Sequence, residues 1–430
     1  MCLGDPLKAI LLAAGEGTRL RPITETRPKA LIPVLCKPLL QWHLEALLQA
    51  GAEEVFLVVG YMKDLVVNFV ETLSGIRNRI KLVYQEKQLG TGDAVVKAAE
   101  AIGPSEEVIV TYSDLFFEDW GLYHTLTKMQ GYYVVGSHIE DPRDYGVLVT
   151  SGLNLIRIIE KPSVKEPSLV NVGVYKLNTS DILENRDVKP SPRGELEFTD
   201  IVSKIAAKKP VRVLNISGEW LDVGKPWHVI DANKIALRNI RSSIKGRVKE
   251  PVHIVKPVYI GENTVVHSFT TIVGPAYIDD DVEIGPNAYI RPWSVICKGS
   301  RIGFSVEVKE SVIFEHVHAS HLTYIGDSVI CEHVNLGAGT VLANLRFDRK
   351  TIKMLVKGKV EDTGRQKLGA IIGGYAQTGV NVSVMPGVKI GSYSWILPGS
   401  VVYRDVPPNT IYPSRENIKY GALQEWESTA

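Results

Sequence analysis

The sequence predicts two fold classes in one chain, an α/β domain followed by an all-β helix of short repeats. Two observations carry this. Up to about residue 235, apolar runs of strand length alternate with helical patterns. From Val252 onward the chain can instead be written in sixes with an apolar third residue in each. A chain of 430 residues also exceeds what one core usually serves.

The α/β reading starts at Leu7–Ala14, whose unbroken apolar run suits a strand covered on both faces. "KPLLQWHLEALLQAG" follows, with Pro38 near a helix start and Gly51 just past its end. Leu40, Leu44, Leu47 and Leu48 fall at helical spacing between them. "EVFLVVG" reads as the next strand, and the alternation recurs through "DAVVKAAEAI" and "EEVIVTYSDL". Strand, helix, strand order argues for a parallel sheet with helices on its faces.

In the second half, the repeating apolar residue is Ile254, Ile260, Val266, Ile272, Ile278, Ile284, Ile290, Ile296, Ile302, Val308 and Phe314. So short and fixed a period means a solenoid of strands, a β-helix. The phase slips around "HVHASHLTYIGD", is broken by "NLRFDRKTIKMLVKGKVEDTGRQK", and resumes at Ile372, Thr378, Val384, Ile390 and Ile396. Breaks in a repeat are where functional loops project. The expected domains are 1–235, a helical linker at 236–251, the β-helix at 252–406 and a tail at 407–430.

With 49 basic against 48 acidic residues, no global field favours nucleic acid or a membrane surface. No apolar run approaches the ~20 residues of a membrane helix, and the N-terminus lacks a leader pattern. Cys2, Cys36, Cys297 and Cys331 show neither CxxC pairing nor zinc spacing, so no disulfide framework is expected and a cytoplasmic location fits.

The stretch "ILLAAGEGTRLRPITETRPKAL" sets a buried strand before a glycine loop rich in cations. Gly15 and Gly17 offer backbone N–H groups to a polyphosphate. Leu20 stands where a dinucleotide fingerprint needs its third glycine, and the GK[ST] of a P-loop is missing. Arg19, Arg21, Arg27 and Lys29 are suited to neutralising phosphate oxygens as charge builds on them.

This loop, LAAGEGTRLRP with a nearby PK, resembles the signature of the sugar-1-phosphate nucleotidylyltransferases, and further matches follow in the family's order. The resemblance implies that Ala13, Ala14, Gly15, Gly17 and Thr18 hold the nucleotide, with Arg19 and Lys29 on the leaving pyrophosphate. "QEKQLGTGDA" puts Gln85, Gln88, Gly90 and Thr91 at the nucleobase. "YSDLFF" and "WLDVG" make Asp114 and Asp222 the magnesium ligands. "DYGV", "IIEKP", "NVGVY" and "GELEFTD" bring Gly146, Glu160, Asn171 and Glu195 to the sugar and Lys161 to its phosphate.

The coils from Gly285 to Val402, with "GPNAYIRP", "VEVK", "HLTYIGD" and "VNLGAGT", resemble the left-handed β-helix acetyltransferase domain of bacterial bifunctional acetyltransferase/uridylyltransferases of amino-sugar-1-phosphates. Left-handedness comes from that resemblance, because the ordinary crossover rule favours the right hand. The likeness implies that Arg291 and Lys309 bind a sugar phosphate, His321 is the general base, and Tyr324, Asn335 and Asn344 line the acceptor site. It also implies acetyl-CoA as co-substrate and assembly as a trimer or a multiple of trimers.

Together these likenesses describe an archaeal-type bifunctional enzyme. It would join a sugar-1-phosphate (glucose or N-acetylglucosamine) to UTP or dTTP, and acetylate glucosamine-1-phosphate or galactosamine-1-phosphate. The rival reading is a monofunctional glucose-1-phosphate thymidylyl- or uridylyltransferase whose β-helix serves only assembly.

Overall fold

The computed structural model describes residues 7–413, apart from 162, 164 and 193, together with the backbone of 421–422. The chain forms two compact units that interleave in sequence. One comprises the residues up to Glu16, Pro28–Leu31 and Leu39–Trp220; the other comprises Gly17–Arg27, Ile32–Pro38 and everything from Leu221.

The first unit is built on a nine-stranded sheet. Lys8–Ala13 is an interior strand, parallel to Val55–Val59 on one side and Glu107–Tyr112 on the other, and Ile80–Tyr84 extends the sheet in parallel beyond Val55–Val59. Ala9, Leu11 and Ala13 pack with Leu40, Leu44 and Leu47 of helix Leu39–Gln49. Ile10 and Leu12 pack on the opposite face with Val95 and Ala98 of helix Thr91–Ile102. Burial on both faces is why the run is continuously apolar.

Beyond Glu107–Tyr112 the sheet is mixed rather than parallel. Ser168–Asn178 runs antiparallel to Glu107–Tyr112 and to Tyr132–Ile139. Gly146–Ser151 and Asn154–Glu160 form an antiparallel hairpin with only two residues between them. Parallel neighbours need a crossover, whereas antiparallel ones need only a turn, so the hairpin leaves no helical pattern in the sequence.

The second unit contains the left-handed β-helix, three sheets of eight, ten and eight strands that are parallel except for the last strand of the ten, Gly421–Ala422. Ile260 lies over Ile278 and Ile278 over Ile296, a step of 18 residues per coil. The first strands are Ser243–Ile244 and Arg247–Val248, directly after helix His228–Arg238, and Thr410–Tyr412 still extends the second sheet. The β-helix therefore starts inside the expected linker and continues into the expected tail.

The six-residue register needs one correction. Ile296 lies over Ile313, and Ile313 over Ile330, steps of 17 residues. Ile313, not Phe314, joins the β-helix core. The turns at Lys309–Ser311 and Gly326–Ser328 are each one residue short, which returns the following strand to the core early. Phe314 is buried on the outside of the first sheet instead, under the Arg27 guanidinium 4.7 Å from its ring.

Cysteine spacing predicted no disulfide, yet Cys36 and Cys297 are bonded across a separation of 261 residues. Folding alone brings them together, so no local spacing announces the pair. Both lie in the second unit, where the bond ties the Ile32–Pro38 segment to the β-helix.

Candidate active sites

In the first unit, Ala13 and Ala14 are buried at the C-terminal end of strand Lys8–Ala13, and Gly15 is exposed beyond them. Strands with this topology place ligands at their carboxyl ends. The neighbouring strand ends alongside, with Ser113 N–H donating to Leu12 O at 3.0 Å. Asp114 follows at once, and its carboxylate is ion-paired with the Lys29 ammonium.

Behind them sits His43, wholly buried in helix Leu39–Gln49. Its Nε2 lies 2.8 Å from the Leu115 carbonyl, which can only accept, so Nε2 carries the proton. Nδ1 is then the acceptor for Tyr123 Oη at 2.7 Å. Burial drives this imidazole down to about 4, against the opposing pull of the Leu115 carbonyl. A neutral ring thus fixes the residue after Asp114.

The expected base loop is tightly built. Gln85 Nε2 donates to Gly90 O at 3.0 Å and to Asp93 Oδ2 at 2.8 Å. Gly90 has φ +107°, and a Cβ there would fall 2.6 Å from Leu196 O, so the loop demands glycine. Thr91 Oγ1 accepts from Phe198 N at 3.0 Å, while Gln88 is exposed. Glu195 lies against Gly90.

Of the expected sugar-binding residues, Gly146 and Glu160 face each other in the hairpin register. Glu160 accepts from Thr199 Oγ1 at 2.9 Å. Asn171 Nδ2 donates to Tyr175 Oη at 2.6 Å. Lys161 is exposed, with its backbone at φ 46°.

In the second unit Gly17 has φ 66° and starts the short turn Thr18–Leu20. A Cβ at Gly224 would meet Arg19 Nη2 and Asp222 Oδ2, each at 3.3 Å, so guanidinium and carboxylate flank that glycine. Asp222 O accepts from His228 Nδ1 at 2.8 Å. Burial lowers the pKa of that imidazole.

Arg27 is not a phosphate ligand, contrary to expectation. Its guanidinium donates to Glu332 Oε2 at 2.6 and 3.2 Å and to Glu315 Oε1 at 2.5 Å. Burial opposes its charge, but Glu332 and then Glu315 more than offset that, and its pKa is raised. Two stacked carboxylates outcompete a solvent-facing role that only neighbouring cations in the sequence suggested.

On the β-helix, His321 is exposed at the end of strand His318–His321; Leu322, at φ 48°, turns the corner, and Tyr324 opens the next strand. Lys309 Nζ donates to Asp327 Oδ1 and Oδ2 at 2.9 and 3.0 Å. Asn344 Nδ2 reaches the same carboxylate and also Tyr324 Oη, at 3.1 Å. Burial, followed by the Asp327 charge, raises the Tyr324 phenol. Arg291 Nη1 donates to Glu307 at 2.8 Å, and Glu307 lies over Tyr324.

Coil stacking therefore gathers Lys309, Tyr324 and Asn344 around Asp327, with Arg291 one rung above. Asn335 is not in this group: it is exposed on another sheet, in register with His318 and Gln377. Asp327 and Glu307 were not picked out from the sequence. Asp327 closes "HLTYIGD" one coil beyond Lys309, so coil arithmetic could have found it.

Residues 8–239 match the family described as Nucleotidyl transferase, and residues 272–358 match the GMPPB C-terminal domain. A "Bifunctional sugar-1-phosphate nucleotidylyltransferase/acetyltransferase" of Sulfurisphaera tokodaii is 45% identical over 93% of this chain and 98% of its own length. The chain belongs to that bifunctional family. A "Bifunctional protein GlmU" of Methanocaldococcus jannaschii is 38% identical over 97% of this chain and 100% of its own. A crystal structure of UDP-glucose pyrophosphorylase with UDP-glucose aligns with 55% of the chain and 100% of its own at TM-score 0.49 and 24% identity.

This family member is an enzyme of two transferase activities, nucleotidyl and acetyl. Its basic excursion leaves the β-helix at Asn344 and returns at Leu368, whose N–H donates to Asn344 O at 3.0 Å. Lys353–Val356 and Lys359–Asp362 pair in it as a hairpin. Arg346 is forked onto Asp348, and Arg365 is held by Asp231 and Glu310. No helix among the described residues is long and apolar enough to cross a membrane.

Proposed function

We propose that the first activity transfers a nucleotidyl group from UTP or dTTP to glucose-1-phosphate or N-acetylglucosamine-1-phosphate. The second N-acetylates glucosamine-1-phosphate or galactosamine-1-phosphate from acetyl-CoA. The nucleotidyl assignment rests above all on the Lys29–Asp114 pair beside the ends of two parallel strands. The acetyl assignment rests on the Asp327-centred cluster, built around the strand that follows the corner after His321.

Magnesium fits the residues present. Among the described residues no three His, Cys, Asp or Glu side chains gather as a metal cage. Mg²⁺ needs none, since it is commonly held by one or two carboxylates plus substrate phosphates. Asp114 and Asp222 are the proposed ligands, and the ion would supply charge stabilisation to the reacting phosphates.

The chain's own groups position and neutralise. Lys161 aligns the sugar phosphate, whose oxygen attacks the α-phosphorus in line, and Arg19 with Lys29 stabilise the departing pyrophosphate. In the second reaction the neutral amine attacks the thioester carbonyl. His321 accepts the ammonium proton and returns it to the coenzyme A thiolate as that leaves. Arg291 and Lys309, each held by a carboxylate, anchor the sugar phosphate. The same reading includes cytoplasmic assembly as a homotrimer or a multiple of trimers.

The test is a product-mass assay on a panel of sugar-1-phosphates with each triphosphate and with acetyl-CoA. The reading requires at least one nucleotide sugar and one N-acetylated sugar phosphate. A panel yielding nucleotide sugar alone favours the assembly-only β-helix.

A further inference from the structure

The second unit carries a socket that neither proposed reaction uses. Glu315 and Glu332 lie on successive coils, where His333 N–H donates to Glu315 O at 3.1 Å, so two carboxylates stand one above the other. Stacked like charges repel unless a cation lies between them. Arg27 is that cation: it joins both carboxylates, lies over Phe314, and is only 12% exposed.

Two residues before it, the Glu25 carboxylate accepts from Ser392 N at 2.7 Å on a later coil. Thr24 Oγ1 and Leu20 N–H both donate to Gly17 O, at 2.9 Å, so the segment between is internally braced. Its other end is Arg19, beside Asp222. Gly17–Arg27 is thus held at one end by the β-helix, and at the other it presents residues proposed for nucleotidyl transfer.

We infer that Arg27 is a positioning residue for nucleotidyl transfer: by docking on Glu315 and Glu332 it makes the β-helix part of the scaffold that sets Arg19. This rests on the reading of Arg19 as a nucleotidyl-transfer residue. A misplacement of about 1 Å in a group that meets charge in the transition state costs up to roughly a hundredfold in rate. Loosening the dock lowers the rate of the bound complex more than it weakens triphosphate binding.

The experiment compares the full-length wild type with Glu332→Gln, Glu315→Gln, Arg27→Lys and Arg19→Ala, measuring kcat and KM of both transfers well below each variant's Tm. The expected result is a fall of roughly tenfold in nucleotidyl kcat for Glu332→Gln, with triphosphate KM and acetyl transfer changed less than about twofold. Arg27→Lys, which keeps the charge but loses the fork, should fall between it and the wild type. A merely structural dock lowers Tm without this split. If Arg19→Ala abolishes nucleotidyl transfer while the three dock variants keep wild-type kcat, or lose both activities in parallel, the inference is overturned. If Arg19→Ala is itself fully active, the functional reading of Arg19 is what fails.

Discussion

Lys29 places its ammonium on the Asp114 carboxylate, at the ends of the two parallel strands around which the first unit is built. Magnesium takes hard oxygen ligands such as this carboxylate. Asp114→Asn keeps the shape but removes the charge. Nucleotidyl transfer should fall by at least about a hundredfold. Acetyl transfer by the same preparation should stay within about twofold of wild type. Paired rate measurements on one batch decide this, and a parallel loss of both activities speaks against it.

His321→Ala should act in the opposite sense. Removing a general base costs roughly 10²–10⁴ in rate. Because His321 is exposed, its replacement should leave Tm unchanged. Acetylated product should vanish while nucleotide sugar forms at the wild-type rate. A variant that still acetylates normally removes His321 from the mechanism.

Much of this was readable in the chain, for physical reasons that name its limits. The strand Lys8–Ala13 and helix Leu39–Gln49 obey local periodicity, so residue order reveals them. The β-helix is visible because each coil repeats the same burial. The one-residue-short turn before Ile313 hid itself, since Val312, Ile313 and Phe314 are all apolar and only stacking distinguishes them. Pairings across long separations left no mark: Cys36 with Cys297, and Arg27 with Glu332. In the β-helix site the sequence identified the cations Arg291 and Lys309, and folding supplied Glu307 and Asp327, the carboxylates that hold them.

The corrected register makes its own prediction. Ile313 is wholly buried in the β-helix core, so Ile313→Ala should cost about 2–5 kcal/mol. Val255 is 41% exposed on a coil, and Val255→Ala should change stability by less than about 0.5 kcal/mol. Denaturant unfolding of the two variants measures the contrast. Equal effects would return Ile313 to the surface.

His43 gives stability a pH dependence. Its pKa is about 4 in the folded chain against the 6.5 of an ordinary histidine, so the unfolded chain binds the proton more readily. The stabilisation is complete above pH 6.5 and declines as pH falls towards 4, by about 3 kcal/mol in all. The Tm should drop between pH 7.5 and 5, and His43→Gln should reduce that drop. Wild type and variant with equal slopes would show that His43 does not carry the effect.

The central claim is that two separate chemistries share this chain, one needing magnesium and one needing none. Its most direct test incubates the pure wild-type protein with glucosamine-1-phosphate, acetyl-CoA and UTP, with magnesium or with a chelator, and reads products by mass. With magnesium, the account predicts an acetylated nucleotide sugar and pyrophosphate; with chelator, the N-acetylated sugar phosphate accumulates and no nucleotide sugar forms. Acetylation that disappears with the metal, or nucleotide sugar that persists without it, would contradict the account.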